Sequence, residues 1–299
     1  MSTSKINRRT AVRTISLGLG AIGFGGIAMA QQTRYDSKTS LSASLLKGTI
    51  NHAACRWCYQ DIPLRQFAEQ SKALGLKAID LLRPEEWKIV QNSGLQCSLA
   101  TDTFASIPHG FNDPKNHRNL QKNYRKLISK AANAGIKQVI VFSGNRNGIS
   151  DETGLEHCAR GLDALVKHAG KHNVTLIMEL LNSKVDHADY QCDHTPWGVQ
   201  LVDKIGSPHF KLLYDIYHMQ IMEGDVIATI RKYKDYIAHY HTGGVPGRHE
   251  INDAQELNYP AIMRAIAVTG FKGYVAQEFI PTYKDKMEAL KESIMICDV

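Results

Sequence analysis

Residues 174–182, VTLIMELLN, and residues 210–220, FKLLYDIYHMQ, decide how this chain folds. Each contains an apolar run that closes on an acid, Glu179 in the first and Asp215 in the second, and His218 stands three residues beyond Asp215. A short continuous apolar run reads as a strand buried on both faces, which has no wet side on which to place a carboxylate. If the two strands are parallel neighbours, both acids project into one pocket, where they can share a cation or pass a proton.

The same pattern continues outward in both directions from Gly48 to the C-terminus. Strand-like runs lie near 49–54, 77–82, 95–101, 137–143, 174–181, 210–217, 237–242 and 273–280. Amphipathic helix patterns fill the intervals, for example PLRQFAEQSKALG at 63–75 and HRNLQKNYRKLISKAANAG at 117–135. Several of them end at a glycine (Gly75, Gly94, Gly135, Gly206 and Gly270), and Thr195-Pro196 reads as an N-cap followed by a first-turn proline. Eight strands and eight helices in alternation predict a parallel sheet with crossover helices. Eight of each is the count that closes a (βα)8 TIM barrel, here a single domain over residues 48–299. A doubly wound open sheet is the competing arrangement.

The chain of 299 residues, 43% hydrophobic, is long enough for such a barrel. Its formal charge of +7 overstates its basicity. Residues 1–30 carry Lys5, Arg8, Arg9 and Arg13 and no acid, and without them 32 basic residues face 29 acidic ones, a net +3. A nucleic-acid partner is therefore disfavoured.

Those first thirty residues resemble a twin-arginine export signal. Asn7-Arg8-Arg9-Thr10 precedes an apolar, glycine-rich run from Ile15 to Ala28, and Ala28-Met29-Ala30 forms a small-x-small cleavage pattern. The resemblance implies a signal peptide at 1–30 cleaved after Ala30, passage through the twin-arginine translocation machinery in a folded state, and a periplasmic location. An uncleaved anchor is the alternative, although the run is shorter than the roughly 18 residues of a spanning helix. Residues 31–47 are polar, without a period, and read as a linker.

In a TIM barrel the C-terminal strand ends build the active site. Those ends present Glu179, Asp215, His241 and Glu278 on four successive strands. One such acid alone is more often a helix cap, but four converging donors point to a shared metal ion. Three carboxylates and one imidazole suit Mn²⁺ or Mg²⁺, with Co²⁺ or Zn²⁺ possible.

The pieces MELLNSKVD, LLYDIYHMQIMEGD, HYHTGGVPGRHE, ELNY and AQEF resemble the hydroxypyruvate isomerase branch of the xylose isomerase-like TIM barrels, a superfamily that also holds ketose 3-epimerases and endonuclease IV. The resemblance spans roughly residues 48–299. It implies that Glu179, Asp215, His241 and Glu278 bind the metal and that Glu179 and Glu278 form the acid/base pair. His218 and Arg248 match positions that contact substrate oxygens in related sugar epimerases. One position departs: hydroxypyruvate isomerases resemble each other in carrying Gln where this chain has His241, whereas the epimerases carry His.

Shifting a carbonyl between adjacent carbons, or inverting a carbon beside one, requires a proton to leave carbon and return elsewhere or on the other face. A metal on the substrate oxygens stabilises the enediolate, and a carboxylate on each side takes and gives the proton. His218 could hydrogen-bond a substrate oxygen, and Arg248 could grip a carboxylate or hydroxyl. Trp57 near the mouth of the first strand could stack on a sugar, and Asn51 with His52 could line the pocket floor. Glu250 and Glu256 read as structural, His109 as a weaker candidate, and the loop 182–194 with His187 and His194 suits a lid.

The expected activity is a metal-dependent aldose–ketose isomerase acting on a small hydroxy-carbonyl compound or sugar, with a homo-oligomer possible. A ketose 3-epimerase or an inosose dehydratase-like enzyme is the alternative, and a non-catalytic sugar-binding barrel a further one. A nuclease like endonuclease IV needs extra histidines after strands two and three, where this chain ends strand two with Asp80. Cys55 and Cys58 have redox or metal spacing, yet no second pair follows, so both are expected to be buried thiols rather than a zinc ribbon.

Overall fold

A computed structural model of the chain describes residues 46–299. The expected signal and most of the linker lie outside the described residues. The strands are β1 (Asn51–Cys55), β2 (Ala78–Asp80), β3 (Gln96–Cys97), β4 (Gln138–Val141), β5 (Thr175–Glu179), β6 (Phe210–Asp215), β7 (Ile237–Thr242) and β8 (Tyr274–Gln277). They form one parallel sheet in the order β3-β2-β1-β8-β7-β6-β5-β4. Ala100 closes the ring, bridging to Leu82 on one side and to Val139 of β4 on the other. The Ala100 N–H donates to Gln138 O at 2.9 Å and the Ile140 N–H to Ala100 O at 3.0 Å. The closed (βα)8 barrel is thus the fold, and the open sheet is excluded.

Burial explains why the strands read as unbroken apolar runs. Leu176, Ile177 and Met178 of β5 and Leu212, Leu213 and Tyr214 of β6 are all fully buried, because one face of each strand looks into the barrel and the other lies under the helices. The acids of these two strands, Glu179 and Asp215, stand at their C-terminal ends.

The helices are α1 (Leu64–Ala73), α2 (Pro84–Asn92), α3 (Pro114–Asn133), α4 (Asp151–Lys171), α5 (Thr195–Ile205), α6 (Ile216–Met222), α7 (Val226–Tyr233), α8 (Tyr259–Val268) and α9 (Lys286–Cys297). Helices α1, α2, α3 and α8 stop two residues before the expected glycines. Helix α5 stops at Gly206, whose φ of 62° lies in the left-handed region that glycine tolerates best.

Two local expectations are corrected. The apolar run after β6 does not stay extended to residue 217: Asp215 caps a short extra helix, α6, which turns the chain at the barrel mouth. Thr195 is the first residue of α5 rather than its cap, and its N–H and hydroxyl both donate to Glu223, at 2.6 and 2.7 Å. A carboxylate from the end of α6 therefore satisfies a helix start that His194 leaves without a side-chain cap.

Gly110, in the loop before α3, lies against the backbone that follows β4, with the Phe111 N–H bonded to Phe142 O at 3.2 Å and the Asn112 N–H to Ser143 O at 2.7 Å. A methyl group at Gly110 would collide with Gly144 N and Phe142 O, backbone atoms that cannot swing away. Gly110→Ala is expected to destabilise the fold by about 1–3 kcal/mol, read as a lower midpoint in chemical denaturation; an unchanged midpoint would show that the loop yields freely.

Candidate active site

Strand register sets the site. Glu179 and Asp215 are the last residues of β5 and β6, His241 is the penultimate residue of β7, and Glu278 follows β8 directly. Asp215 is level with His241, whereas Glu179 pairs with Leu213, two residues before Asp215, and Glu278 lies two residues beyond Ala276, the partner of His241; the stagger of the strands still brings the four side chains together at one mouth. One donor atom from each of Glu179, Asp215, His241 and Glu278 lies within 4.8 Å of the others, and all four residues are buried. His241 Nδ1 is 3.1 Å from Glu179 Oε1 and 2.7 Å from Glu278 Oε2.

Arg248 faces these acids. It holds a φ of 58° in the loop after β7, and its Nη2 approaches Asp215 Oδ2 at 3.2 Å and Glu278 Oε2 at 2.6 Å. The guanidinium carbon lies 5.4 Å from the Trp57 ring and 5.2 Å from the Tyr217 ring, a cation between two π faces. Trp57 also donates its indole N–H to Glu278 Oε1 at 2.6 Å.

The electrostatics of the cluster are set by burial and by the mutual repulsion of its acids. Burial pushes the Asp215 carboxyl up to about 7, with Arg248 opposing the rise and Glu278 adding to it. Burial also raises Glu179, against the hydrogen bond from His241. At Glu278 burial pushes upward too, but His241 and Arg248 together hold the carboxyl well below its ordinary range. Burial alone would lower His241, yet Glu278 foremost among its neighbours holds it well above the usual imidazole value. Three carboxylates in so small a volume repel one another, and Arg248 with one imidazole brings at most two positive charges against their three negative ones. A divalent cation would remove that conflict, and oxygen donors with one nitrogen are the set that such a cation takes. The residues fit the ion.

His218 sits in the first turn of α6, fully buried. Its Nδ1 is 2.7 Å from the amide nitrogen of Asn182. Asn182 Oδ1 is occupied by the N–H groups of Val185 and Asp186, so its amide nitrogen must face His218 and donate. His218 therefore accepts at Nδ1 and carries its proton on Nε2, which has no hydrogen-bond partner among the described residues. Burial, with Arg248 next in size, holds its pKa well below the ordinary value, keeping the ring neutral. The result is an N–H donor aimed at the cluster, 3.5 Å from Asp215 Oδ2.

Trp57, His218 and Arg248 thus join the four expected ligands. Asn51 does not. It is the first residue of β1, at the opposite end of the barrel, and its amide donates to Lys272 O at 3.0 Å and Gly273 O at 3.3 Å. The sequence run 49–54 suggested that residues 51 and 52 end the strand, whereas β1 extends to Cys55 and places them at its start. His52 is buried at that same end, 3.8 Å from Asp298. Glu250 is structural, accepting from the Thr282 hydroxyl at 2.9 Å and the Tyr283 N–H at 3.1 Å. His109 and His194 are exposed, while the His187 ring packs 5.3 Å from His218. All six cysteines are free and buried.

Sequence reasoning missed Asp80 as a site residue. Fully buried at the end of β2, it accepts from His241 Nε2 at 2.8 Å and lies 3.2 Å from His239 Nε2. The signal was present: AID closes on an acid in the same way as LIME and LLYD do.

A barrel whose strand ends converge on buried acids, one imidazole and one guanidinium is of the class that presents a polar centre to a small molecule. The chain belongs to the xylose isomerase-like TIM barrel family, whose pattern matches residues 60–295. It is 33% identical over 129 residues to the 2-oxo-tetronate isomerase of Cupriavidus necator, a match covering 43% of this chain and 47% of that protein. Against the hydroxypyruvate isomerase of Escherichia coli it is 32% identical over 111 residues, 37% of this chain and 42% of the relative. The chain thus spans less than half the length of each of these curated relatives. Among solved structures, the D-psicose 3-epimerase of Clostridium cellulolyticum with D-tagatose superposes with a TM-score of 0.68 at 18% identity, covering 84% of this chain and 100% of that one. At that identity the likeness speaks for the fold.

Trp57 reports on the cluster, since its indole bonds a glutamate that would close on an ion. Titration with Mn²⁺ is expected to quench part of the tryptophan emission. The quench should disappear in Trp57→Phe, because Trp87 and Trp197 bond backbone carbonyls instead; an equal quench in that variant would place the ion elsewhere.

Proposed function

We propose that this protein is a metal-dependent isomerase of the aldose–ketose type, hydroxypyruvate isomerase-like, acting on a small hydroxy-carbonyl compound or sugar. The observation that carries this reading is the pair of glutamates, Glu179 and Glu278, approaching one His241 nitrogen from two different strands. The named isomerase relatives support it at the level of the reaction class.

Glu179, Asp215, His241 and Glu278 would hold a divalent ion, Mn²⁺ or Mg²⁺ by donor type and Co²⁺ or Zn²⁺ as substitutes. When bound, the ion supplies charge stabilisation to substrate oxygens as an enediolate forms. The chain's own residues do the rest. Glu179 and Glu278 are the groups that take a proton from carbon and return it. His218 donates Nε2–H to a substrate oxygen, and Arg248 supplies a second, charged donor. Trp57 keeps one Glu278 oxygen oriented and offers an apolar face for a carbon skeleton.

His241 favours a second reading, a ketose 3-epimerase, because an imidazole stands there as in the epimerases that this chain resembles. Both readings share the proton abstraction and differ in where the proton returns.

The test is a panel of small hydroxy-carbonyl compounds and ketoses, with exchange of the carbon-bound proton into solvent followed by NMR on the Mn²⁺-treated protein. Exchange is expected to stop on chelation and to fall about 10²–10⁴-fold in Glu278→Gln. Exchange that survives both would remove Glu278 and the ion from the reaction.

We further propose export through the twin-arginine machinery to the periplasm, with cleavage after Ala30. The paired arginines and the Ala28-Met29-Ala30 pattern support it. Replacing both Arg8 and Arg9 by Lys is expected to leave the protein in the cytoplasm of a fractionated bacterial host; periplasmic recovery of that variant would refute the route.

A further inference from the structure

We propose that Asp80 is the positioning residue of the metal centre: its carboxylate holds His241 in the Nε2–H form and so presents Nδ1 as the ligand atom. The inference rests on the metal-centre reading above.

His239 and His241 are two residues apart on β7, so both rings point into the barrel, one layer above the other. Asp80 Oδ2 lies 2.8 Å from His241 Nε2 and 3.2 Å from His239 Nε2. Its Oδ1 accepts from the Ser98 hydroxyl. His239 Nδ1 is 2.9 Å from Gln138 Oε1, and the Gln138 amide donates to Ala238 O at 2.9 Å. Asp80 is therefore held by Ser98, just after β3, and by His241 of β7, with His239 close by and itself fixed by Gln138 of β4.

A carboxylate accepts and does not donate, so the nitrogen against it must carry the proton. By the same rule Nδ1 carries a proton while it faces only Glu179 and Glu278; an ion held by those glutamates would take the place of that proton, whereas Nε2 keeps its own against Asp80 and leaves Nδ1 as the nitrogen with a lone pair to give. Imidazole ligands whose second N–H is held by a carboxylate are oriented and made more basic, and loss of the carboxylate typically costs about 10–100-fold in metal affinity. Cys55 Sγ also lies near, 3.8 Å from His241 Nε2 and 3.7 Å from Asp80 Oδ2. A thiol is a weak donor and acceptor and does not fix the tautomer as a carboxylate does.

The experiment is Mn²⁺ titration calorimetry on the full chain, wild type, Asp80→Asn and Asp215→Ala, together with nitrogen NMR of histidine-labelled, Zn²⁺-loaded wild type to read the His241 tautomer. Asp80→Asn is expected to weaken Mn²⁺ binding about 10–100-fold, Asp215→Ala to remove it, and the spectrum to show the proton on Nε2. Binding within twofold of wild type in Asp80→Asn overturns the inference, as does a spectrum with the proton on Nδ1 and the ion on Nε2. If Asp80→Asn does not fold, the wild-type spectrum decides. A wild type that binds neither ion would overturn the metal-centre reading itself, and this inference with it.

Discussion

Three carboxylates held out of water at one barrel mouth form the constraint on which the rest of this structure depends. Buried charge is costly unless it is paired and hydrogen-bonded, and like charges sharing a low-dielectric volume add to the cost. The neighbouring residues answer that cost: the Arg248 guanidinium, the Trp57 indole, the His241 ring and the first backbone N–H groups of α6 each face one of these oxygens. Arg248 itself is stacked between two aromatic rings in a backbone conformation that non-glycine residues seldom adopt.

The loop after β5 is tied down by the same economy of shared groups. The Tyr190 hydroxyl accepts from the Ser143 N–H at 3.1 Å and donates to Glu179 O at 3.1 Å, joining the ends of β4 and β5. Arg146 bonds Asp193 at 2.9 Å and Asp151 at 3.0 Å, so the loop's far end is anchored to the start of α4. Lys184–Asp186, Ala188, Asp189 and His194 are exposed, but Asp189 accepts from the Asn147 N–H at 2.8 Å and His194 bonds Asp193 at 2.8 Å. These contacts tether the loop at Tyr190 and Asp193 and leave Lys184–Asp186 as its most freely exposed stretch.

Much of this was legible in the sequence. The barrel follows from eight apolar runs alternating with amphipathic patterns, and the four converging ligand candidates follow from asking which residue ends each strand. Strand phase was the weak point. The run around Asn51 lacked a mark for its C-terminal end, so β1 was placed short and its bottom residues were read as its top. Helix α6 was hidden because Ile216 and Tyr217 continue the apolar composition of β6, and only the capping carboxylate of Asp215 turns the chain. The roles of Asn182 and Tyr190 depend on contacts between separate loops, which no local pattern records. Asp80 carried the right local mark on a strand of three residues, too short for its end to stand out.

Asp215 serves two masters with its two oxygens. Oδ1 accepts the Tyr217 N–H at 2.9 Å and starts α6, while Oδ2 faces Arg248 and the cluster. Asparagine caps helices about as well as aspartate does but brings no charge. A single-nucleotide change at this codon class could therefore keep the architecture and silence the chemistry, leaving a sound barrel free to be recruited for binding alone.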